Sequence, residues 1–176
     1  AEYVDVLQSS FVLCPIYPLD RSKKSPMYEK DKKIHFLDPF IFHALRGWVN
    51  QTPAYEEAIS FLRNSENKSK LVECLVCDHL IRLAFNLNPT DDFIPSMNVF
   101  YWKSEQKEVD YVLDLEREYL PIEVKYQSSI SRENLNSIYS FLRTQSTYRG
   151  IVVTKDLLSA ERGVVMIPVH IFLCLI

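Results

Sequence analysis

The stretch EVDYVLDLEREYLPIEVKY, residues 108–126, places charged side chains inside two apolar segments that are joined by the short turn ERE. Each segment has the composition of a buried strand, and the join is short enough for an antiparallel hairpin. Asp110 lies in the first segment, while Glu123 and Lys125 flank Val124 in the second. Because side chains alternate between the two faces of a strand, we expect Glu123 and Lys125 to share one face, with Asp110 level with them.

The segments around this hairpin predict a mixed α/β domain. A third strand precedes the hairpin across the join SEQK, an amphipathic helix comes before all three strands, and a second helix and a further strand follow. This order of a helix, three strands, a helix and a strand is typical of mixed α/β folds. The predicted elements are a helix at 70–86, strands at 98–103, 108–115 and 118–126, a helix at 131–144 and a strand at 150–154.

The N-terminal third predicts a smaller lobe. It begins with what looks like the last turns of a helix, and segments 10–17 and 34–38 then form a hairpin with a long basic tip. Asp38 caps a helix at 39–48, with Gly47 as its stop, and a further short helix covers 54–63. The polar stretch NSENKS, residues 64–69, is the best linker in the chain, and the apolar run at 164–176 predicts a buried strand or a short core helix.

The charge of the chain bounds its partners. With a net charge of -3, no global positive field draws the protein onto nucleic acid, so any basic surface must be local. The tip of the first hairpin is such a surface, and it either contacts DNA phosphates or is merely solvated. Its basic residues are Arg21, Lys23, Lys24, Lys30, Lys32 and Lys33.

Cysteine usage and hydropathy bear on the compartment. The four cysteines show no framework spacing and no charged-then-apolar leader precedes them, which favours a reducing cytoplasm. No stretch is long and apolar enough to predict a bilayer span, so no membrane partner is expected. The sequence contains no Gly-x-x-x-x-Gly-Lys-Ser/Thr motif, so no ATP site is expected within these residues.

The acidic residues of the central hairpin suit a metal site. Two carboxylates at close range repel each other unless a hard cation joins them, and Mg²⁺ is held by one or two carboxylates together with phosphate oxygens. Lys125 is then in a position to stabilise charge on phosphorus or to help activate water. A solvated surface ion pair is the plainer interpretation of a single Glu-x-Lys. Glu73, in the preceding helix, makes the set more specific.

Three segments together resemble a known family: LVECLVCDHLIRL at 71–83, FYWKSEQKEVDYVL at 100–113 and LPIEVKY at 120–126. They resemble the C-terminal nuclease-like domain of archaeal and bacterial ATPases of the AAA class, a branch of the PD-(D/E)xK phosphodiesterases. IHFLDPFIFHAL at 34–45 is similar to what commonly precedes that domain. The resemblance implies a restriction-endonuclease-like core at 70–176, a helix and linker at 49–69, and the end of a winged-helix-like connector at 1–48.

The resemblance also implies a catalytic site and its partners. Asp110, Glu123 and Glu73 would bind Mg²⁺ or Mn²⁺, Lys125 would serve the water or the phosphate, and Gln127 would assist. DNA would be the substrate. An ATPase module would precede these residues in a longer protein, and the opening of the chain without a capping residue or Met agrees with that expectation.

Two functions from different classes therefore stay open. The first is a divalent-metal-dependent DNA phosphodiesterase attached to an AAA-type ATPase. The second is a catalytically silent nuclease fold that binds DNA or docks a protein for the ATPase, since fold alone does not decide activity. In a third and plainer interpretation, the charged strand residues are only solvated.

Overall fold

The structure is a computed structural model that describes residues 2–104 and 106–176. Ala1, at the start of the predicted N-terminal helix, and Glu105, in the predicted turn SEQK, lie outside the described residues.

The N-terminal region contains a helix and two small hairpins. Helix α1 (Glu2–Ser9) is followed by β1 (Leu13–Ile16), β2 (Leu19–Asp20), β3 (Ser25–Pro26) and β4 (Lys33–Phe36). Strand β1 pairs antiparallel with β4, which confirms the predicted first hairpin. Strands β2 and β3 pair with each other inside its long connection, so the basic tip is itself folded.

Three helices follow, and two predictions about them are wrong. The helices are α2 (Pro39–Asn50), α3 (Ala54–Leu62) and α4 (Ser65–Leu87). Helix α2 has Asp38 as its N-cap, as predicted, but it continues past Gly47 to a left-handed C-cap at Gln51, with φ of 53°. The predicted linker at 64–69 is helical from Ser65, because the Asn64 side chain accepts hydrogen bonds from the N–H groups of Glu66 and Asn67 and caps α4.

The main sheet contains six strands among the described residues. They are β5 (Val99–Ser104), β6 (Lys107–Asp114), β7 (Tyr119–Lys125), β8 (Gly150–Thr154), β9 (Ser159–Glu161) and β10 (Val164–Pro168). Their spatial order is β5-β6-β7-β8-β10-β9, and the pairs β7–β8 and β8–β10 are parallel while the others are antiparallel. This arrangement confirms a mixed α/β fold, with the predicted antiparallel meander as one half of the sheet.

The two faces of the sheet are covered by different helices. Helix α4 packs Val76, Cys77 and Leu80 onto the side of β6 and β7 that carries Tyr111 and Ile122. Helix α5 (Asn136–Gln145), which follows a 3₁₀ turn at Glu133–Leu135, covers the other face with its apolar side chains. The C-terminal apolar run forms both predicted elements, strand β10 and then helix α6 (Val169–Leu175). No helix among the described residues is long and apolar enough to cross a membrane.

The N-terminal hairpin is part of the same core as the main sheet. Cys14 and Ile16 of β1 are buried in the cluster that contains the α4 side chains. The Tyr101 N–H donates to the Tyr17 carbonyl oxygen at 3.0 Å, and Pro18 bridges in parallel to Tyr101. The chain that follows β1 therefore covers the β5 edge of the sheet, which would otherwise present unpaired main-chain groups.

Gly47 allows helices α2 and α3 to approach closely. A Cβ atom on Gly47 would lie 2.6 Å from the Thr52 carbonyl oxygen and 3.1 Å from Ala54 Cα. Gly47→Ala should therefore destabilise the protein by about 1–3 kcal/mol, although alanine is the better helix former. Urea unfolding followed by circular dichroism would measure the change in the free energy of unfolding.

The matched control is Gln51→Gly, which removes a side chain from the left-handed C-cap of the same helix. Glycine adopts this conformation without strain, so Gln51→Gly should be neutral or stabilising. A Gly47→Ala protein that is more stable than the wild type would contradict the close approach.

Candidate active site

The candidate site lies where strands β6 and β7 stop pairing regularly. Their register runs from the pair Asp114–Tyr119 to the pair Tyr111–Ile122. On the other side of β6, Phe100 pairs with Val112 whereas Trp102 pairs with Val109, so one residue of β5 faces two residues of β6. In this β-bulge, Asp110 and Tyr111 of β6 lie opposite the single residue Tyr101 of β5. Bulges bend a strand and re-aim its side chains, and they are common beside active sites.

The bulge directs Asp110 toward β7 and the N-terminal hairpin. Asp110 Oδ2 accepts a hydrogen bond from the Val124 N–H at 2.9 Å, so the side chain joins the two strands just beyond their regular pairs. Asp110 Oδ1 lies 3.2 Å from the Lys33 ammonium nitrogen, which also lies 2.7 Å from Glu108 Oε1. Both carboxylate oxygens of Asp110 are therefore engaged.

Glu123 is the most deeply buried of the predicted site residues, with 3% of its surface exposed. Lys125 Nζ lies 2.6 Å from Glu123 Oε1, which confirms that the two side chains share a face of β7. Glu123 Oε2 is buried and has no hydrogen-bond partner among the described residues. Burial and the nearby charge of Asp110 raise the pKa of Glu123 from 4.5 to about 7, against the opposing effect of Lys125.

Glu73 reaches the same site from helix α4. Burial raises its pKa from 4.5 to about 7, the charge of Asp110 adds to this, and Lys33, Lys125 and Lys70 oppose it. The Tyr111 hydroxyl donates to the Glu73 carbonyl oxygen at 2.9 Å, which fixes this turn of α4 over the bulge. The structure thus brings together the four residues Glu73, Asp110, Glu123 and Lys125 from three elements that lie apart in sequence.

Two residues of the site were missed by sequence reasoning about catalysis. Glu108 lies two residues before Asp110 on the same strand, so the alternation of side chains could have indicated it. Lys33 had been assigned to the basic tip, and no local signal joins it to Asp110, because 77 residues separate them. In all, the acidic residues Glu73, Glu108, Asp110 and Glu123 meet the lysines Lys33 and Lys125.

Gln127 lies beside this cluster rather than in contact with its carboxylates. Its N–H donates to the Lys125 carbonyl oxygen, and its own carbonyl oxygen accepts from the Lys155 N–H at 3.2 Å. It lines a polar cavity of about 420 Å³ at the end of β7. The other lining residues are Ser65, Glu66, Lys68, Ser69, Tyr126 and Lys155.

The six basic residues predicted for the hairpin tip do not all lie on one surface in the structure. Lys23, Lys24 and Lys30 are exposed, as a phosphate-contacting surface requires. Exposed Arg21 donates to the Thr144 carbonyl oxygen at 2.7 Å and joins the tip to α5. Lys32 lies 5.7 Å from the centre of the Tyr17 ring. Lys33 instead lies inside the carboxylate cluster, so the predicted six-residue basic surface includes five residues that face outward.

The carboxylates are paired with lysines rather than grouped around a common point. Within residues 2–104 and 106–176, no group of three or more His, Cys, Asp or Glu side chains is arranged to hold a metal ion. The Lys33 ammonium group pairs with Asp110, and the Lys125 ammonium group pairs with Glu123. Oxygen atoms of the kind that bind hard cations are adjacent here, but two ammonium groups of the protein offset part of their negative charge.

The comparisons with known proteins identify a family. A family model described as "Domain of unknown function (DUF4143)" matches residues 68–172. The match includes α4 from Lys68 onward and the whole β6–β7 hairpin, whereas strand β4 and Lys33 precede it. Domains of this family are typically the C-terminal region of AAA-ATPase-associated proteins. No curated protein and no solved structure gives a match to the chain.

The raised pKa values of Glu73 and Glu123 predict a pH dependence of stability. Both carboxyl groups have pKa values of about 7 in the folded protein, above the ordinary 4.5. The stabilisation that the two protonated carboxyl groups contribute is fully present below pH 4.5. It is lost as the pH rises through about 7, where the groups ionise in the folded protein. A loss of about 2 kcal/mol would lower the Tm of the metal-free protein by about 4–8 °C between pH 5 and pH 8.

Thermal unfolding of the wild type, Glu123→Gln and Glu66→Gln at pH 5 and pH 8 would measure this fall in Tm. Glu123→Gln keeps the size of the side chain without its titration, so its Tm should fall less. A hydrogen bond from Lys70 lowers the pKa of Glu66, so removing that carboxyl should not alter the fall above pH 5. Equal falls in Tm for the wild type and Glu123→Gln would contradict the raised pKa of Glu123.

Proposed function

The chain belongs to the DUF4143 family, and we propose that it is a divalent-metal-dependent DNA phosphodiesterase in the C-terminal region of an AAA-type ATPase. The observation that carries the proposal is the buried Glu123 Oε2, which lies beside Asp110 and Lys125 and has no hydrogen-bond partner within residues 2–104 and 106–176. An isolated carboxylate oxygen buried without a partner is costly, and functional sites are where such costs are retained.

The donor chemistry fits Mg²⁺ or Mn²⁺. Both ions prefer carboxylate and phosphate oxygens, and the site supplies carboxylates from Asp110, Glu123 and Glu73. When every group is ionised, four acidic side chains face two lysines, an excess of two negative charges. A divalent cation would neutralise this excess and would favour the ionised forms of Glu73 and Glu123.

The order of elements supports a restriction-endonuclease-like core. Helix α4, the meander β5–β7, helix α5 and the parallel strand β8 follow one another as that core requires. In this interpretation the acidic residues lie at the point where β6 and β7 diverge, and α4 supplies Glu73 across the opening.

Each residue of the cluster then has a defined task. Asp110 and Glu123 would hold the ion, and Glu73 would bind a second ion or orient a water molecule. A bound ion would supply Lewis-acid stabilisation of the phosphate and lower the pKa of its water. Burial lowers the pKa of Lys125, but the charges of Glu123, Asp110 and Glu73 outweigh burial and raise it overall, so Lys125 would be charged and would stabilise charge on the phosphate oxygens. Gln127 would contact the substrate from the adjoining cavity.

The polar cavity beside the cluster suits a nucleic-acid backbone. Lys68 and Lys155 are exposed at its rim, and the hydroxyl groups of Ser65, Ser69 and Tyr126 line it. Lysines and hydroxyl groups are the usual partners of phosphate oxygens. A nucleic-acid strand bound in this cavity would run past Gln127 toward Lys125. The exposed lysines of the hairpin tip would provide a second contact with the nucleic acid and increase its affinity.

A second candidate function is a catalytically silent module that docks a protein for the ATPase. The observation that favours it is the set of exposed apolar side chains on α2 and α3, where Trp48 is 80% exposed and Tyr55 is 77% exposed. Large exposed aromatic residues in one region are characteristic of interaction surfaces. The two functions differ in whether the acidic cluster is needed for activity.

Cleavage of single-stranded, duplex and branched DNA with Mg²⁺ or Mn²⁺ would separate the two functions. Asp110→Asn should reduce cleavage by about a hundredfold or more, because it removes a charged ligand of the ion. Asp114→Asn, on the same strand but outside the site, should cleave as the wild type does. If the folded wild type does not cleave any of these DNA substrates, alone or with its ATPase, the silent docking module is supported instead.

DNA affinity provides a separate prediction for the cavity. Lys68→Gln and Lys155→Gln should each weaken binding of a short single strand and reduce the salt slope of the affinity by about one. Lys103→Gln is the matched control, because Lys103 is equally exposed but lies on β5, away from the cavity. Fluorescence anisotropy at several salt concentrations would measure both quantities. Identical slopes for all three variants would exclude the cavity as a phosphate site.

A further inference from the structure

We propose that Lys33 of strand β4 is a positioning residue of the carboxylate site, and that its ammonium group holds the place of a divalent ion beside Asp110. The ion then binds only when Lys33 moves aside, so the N-terminal hairpin controls how readily the site takes up metal. This inference rests on the proposed function, because it concerns the ion of that same site.

The contacts of Lys33 are those of an internal counter-ion. Its Nζ lies 3.2 Å from Asp110 Oδ1 and 2.7 Å from Glu108 Oε1, and its side chain is 23% exposed. A lysine ammonium group is ordinarily charged at neutral pH, so Lys33 forms a half-buried, positively charged bridge between these two carboxylates.

The geometry of Asp110 makes Lys33 and an ion compete. Asp110 Oδ2 is occupied by the Val124 N–H, which belongs to the strand itself and cannot leave without opening the β6–β7 junction. Asp110 Oδ1 faces the Lys33 ammonium group instead of a main-chain donor. A cation that binds Asp110 through Oδ1 must displace the ammonium group, since two positive charges at this distance repel each other.

The N-terminal hairpin fixes the main chain of Lys33 beside Asp110. Strand β4 pairs with β1, where Ile16 is fully buried and lies opposite Lys33. The Tyr101 hydroxyl donates to the Asp31 carbonyl oxygen, and Lys33 Nζ lies 5.3 Å from the centre of the Tyr101 ring. The main chain is therefore fixed, while the flexible lysine side chain is partly open to solvent and able to swing away.

Lys33, which contacts Asp110, lies outside the part of the chain that the family model matches. The family match covers residues 68–172 and includes every carboxylate of the site, but Lys33 lies outside it. A segment outside the family-matched residues thus contributes the charge that neutralises Asp110. The affinity of the site for metal depends in this way on a hairpin that also presents exposed lysines at its tip.

Titration calorimetry with Mn²⁺ alone, without DNA, tests the inference. Lys33→Gln removes the competing charge, so it should bind Mn²⁺ about tenfold more tightly than the wild type or better. Lys33→Arg should bind more weakly than the wild type, because a guanidinium group holds carboxylates more firmly than an ammonium group. Lys32→Gln, the exposed neighbour, should bind as the wild type does.

A second readout uses stability. Without metal, Lys33→Gln should unfold at a lower temperature than the wild type, because Asp110 and Glu108 lose their counter-ion. Saturating Mn²⁺ should raise the Tm of Lys33→Gln more than that of the wild type, since tighter binding stabilises more at equal ion concentration. If Lys33→Gln does not fold, the weaker binding expected of Lys33→Arg still tests the competition.

The outcomes separate this inference from the proposed function. Equal Mn²⁺ affinity in the wild type, Lys33→Gln and Lys33→Arg, or weaker binding by Lys33→Gln, would refute the competition and leave the metal site intact. If neither the wild type nor Lys33→Gln binds Mn²⁺, the metal premise of the proposed function fails, and the inference fails with it.

Discussion

The hydrogen bond from the Val124 N–H to Asp110 Oδ2, at 2.9 Å, is the interaction on which the site depends. Regular pairing of β6 and β7 ends at Tyr111 and Ile122, and the bulge in β6 turns Asp110 inward just past that point. The side chain then takes up a main-chain donor that a ladder hydrogen bond would otherwise satisfy. A carboxylate is thereby built into the backbone of the sheet, and its second oxygen is left for a cation.

The electrostatic character of the site follows from this placement. Asp110 is fixed close to Glu73 and Glu123, and its charge adds to the effect of burial on both, so each has a pKa of about 7. Two lysines offset part of the negative charge, yet Glu123 Oε2 stays buried without a partner among the described residues. Such a cluster costs folding free energy, and the proposed divalent ion would relieve part of that cost by neutralising the excess negative charge.

The N-terminal hairpin contributes to the core of the fold. Cys14 and Ile16 fill the core beneath α4, and the chain after β1 covers the β5 edge of the sheet. The same hairpin supplies Lys33, so the packing that protects the sheet edge also sets the charge of the site. A change in β4 is therefore expected to alter both the stability of the fold and the charge balance around Asp110.

The sequence by itself determined the elements whose signals are local. Alternation placed Glu123 and Lys125 on one face, turn lengths predicted the β5–β7 meander, and Asp38 marked the start of α2. Local signals failed where a contact from elsewhere decided the outcome. Gly47 lies inside α2, where Thr52 and Ala54 leave no room for a Cβ, and the predicted polar linker is helical because Asn64 caps it. Only the tertiary structure showed that Lys33 pairs with Asp110. The two residues are 77 positions apart, and their contact depends on the pairing of β4 with β1, which no local sequence pattern predicts.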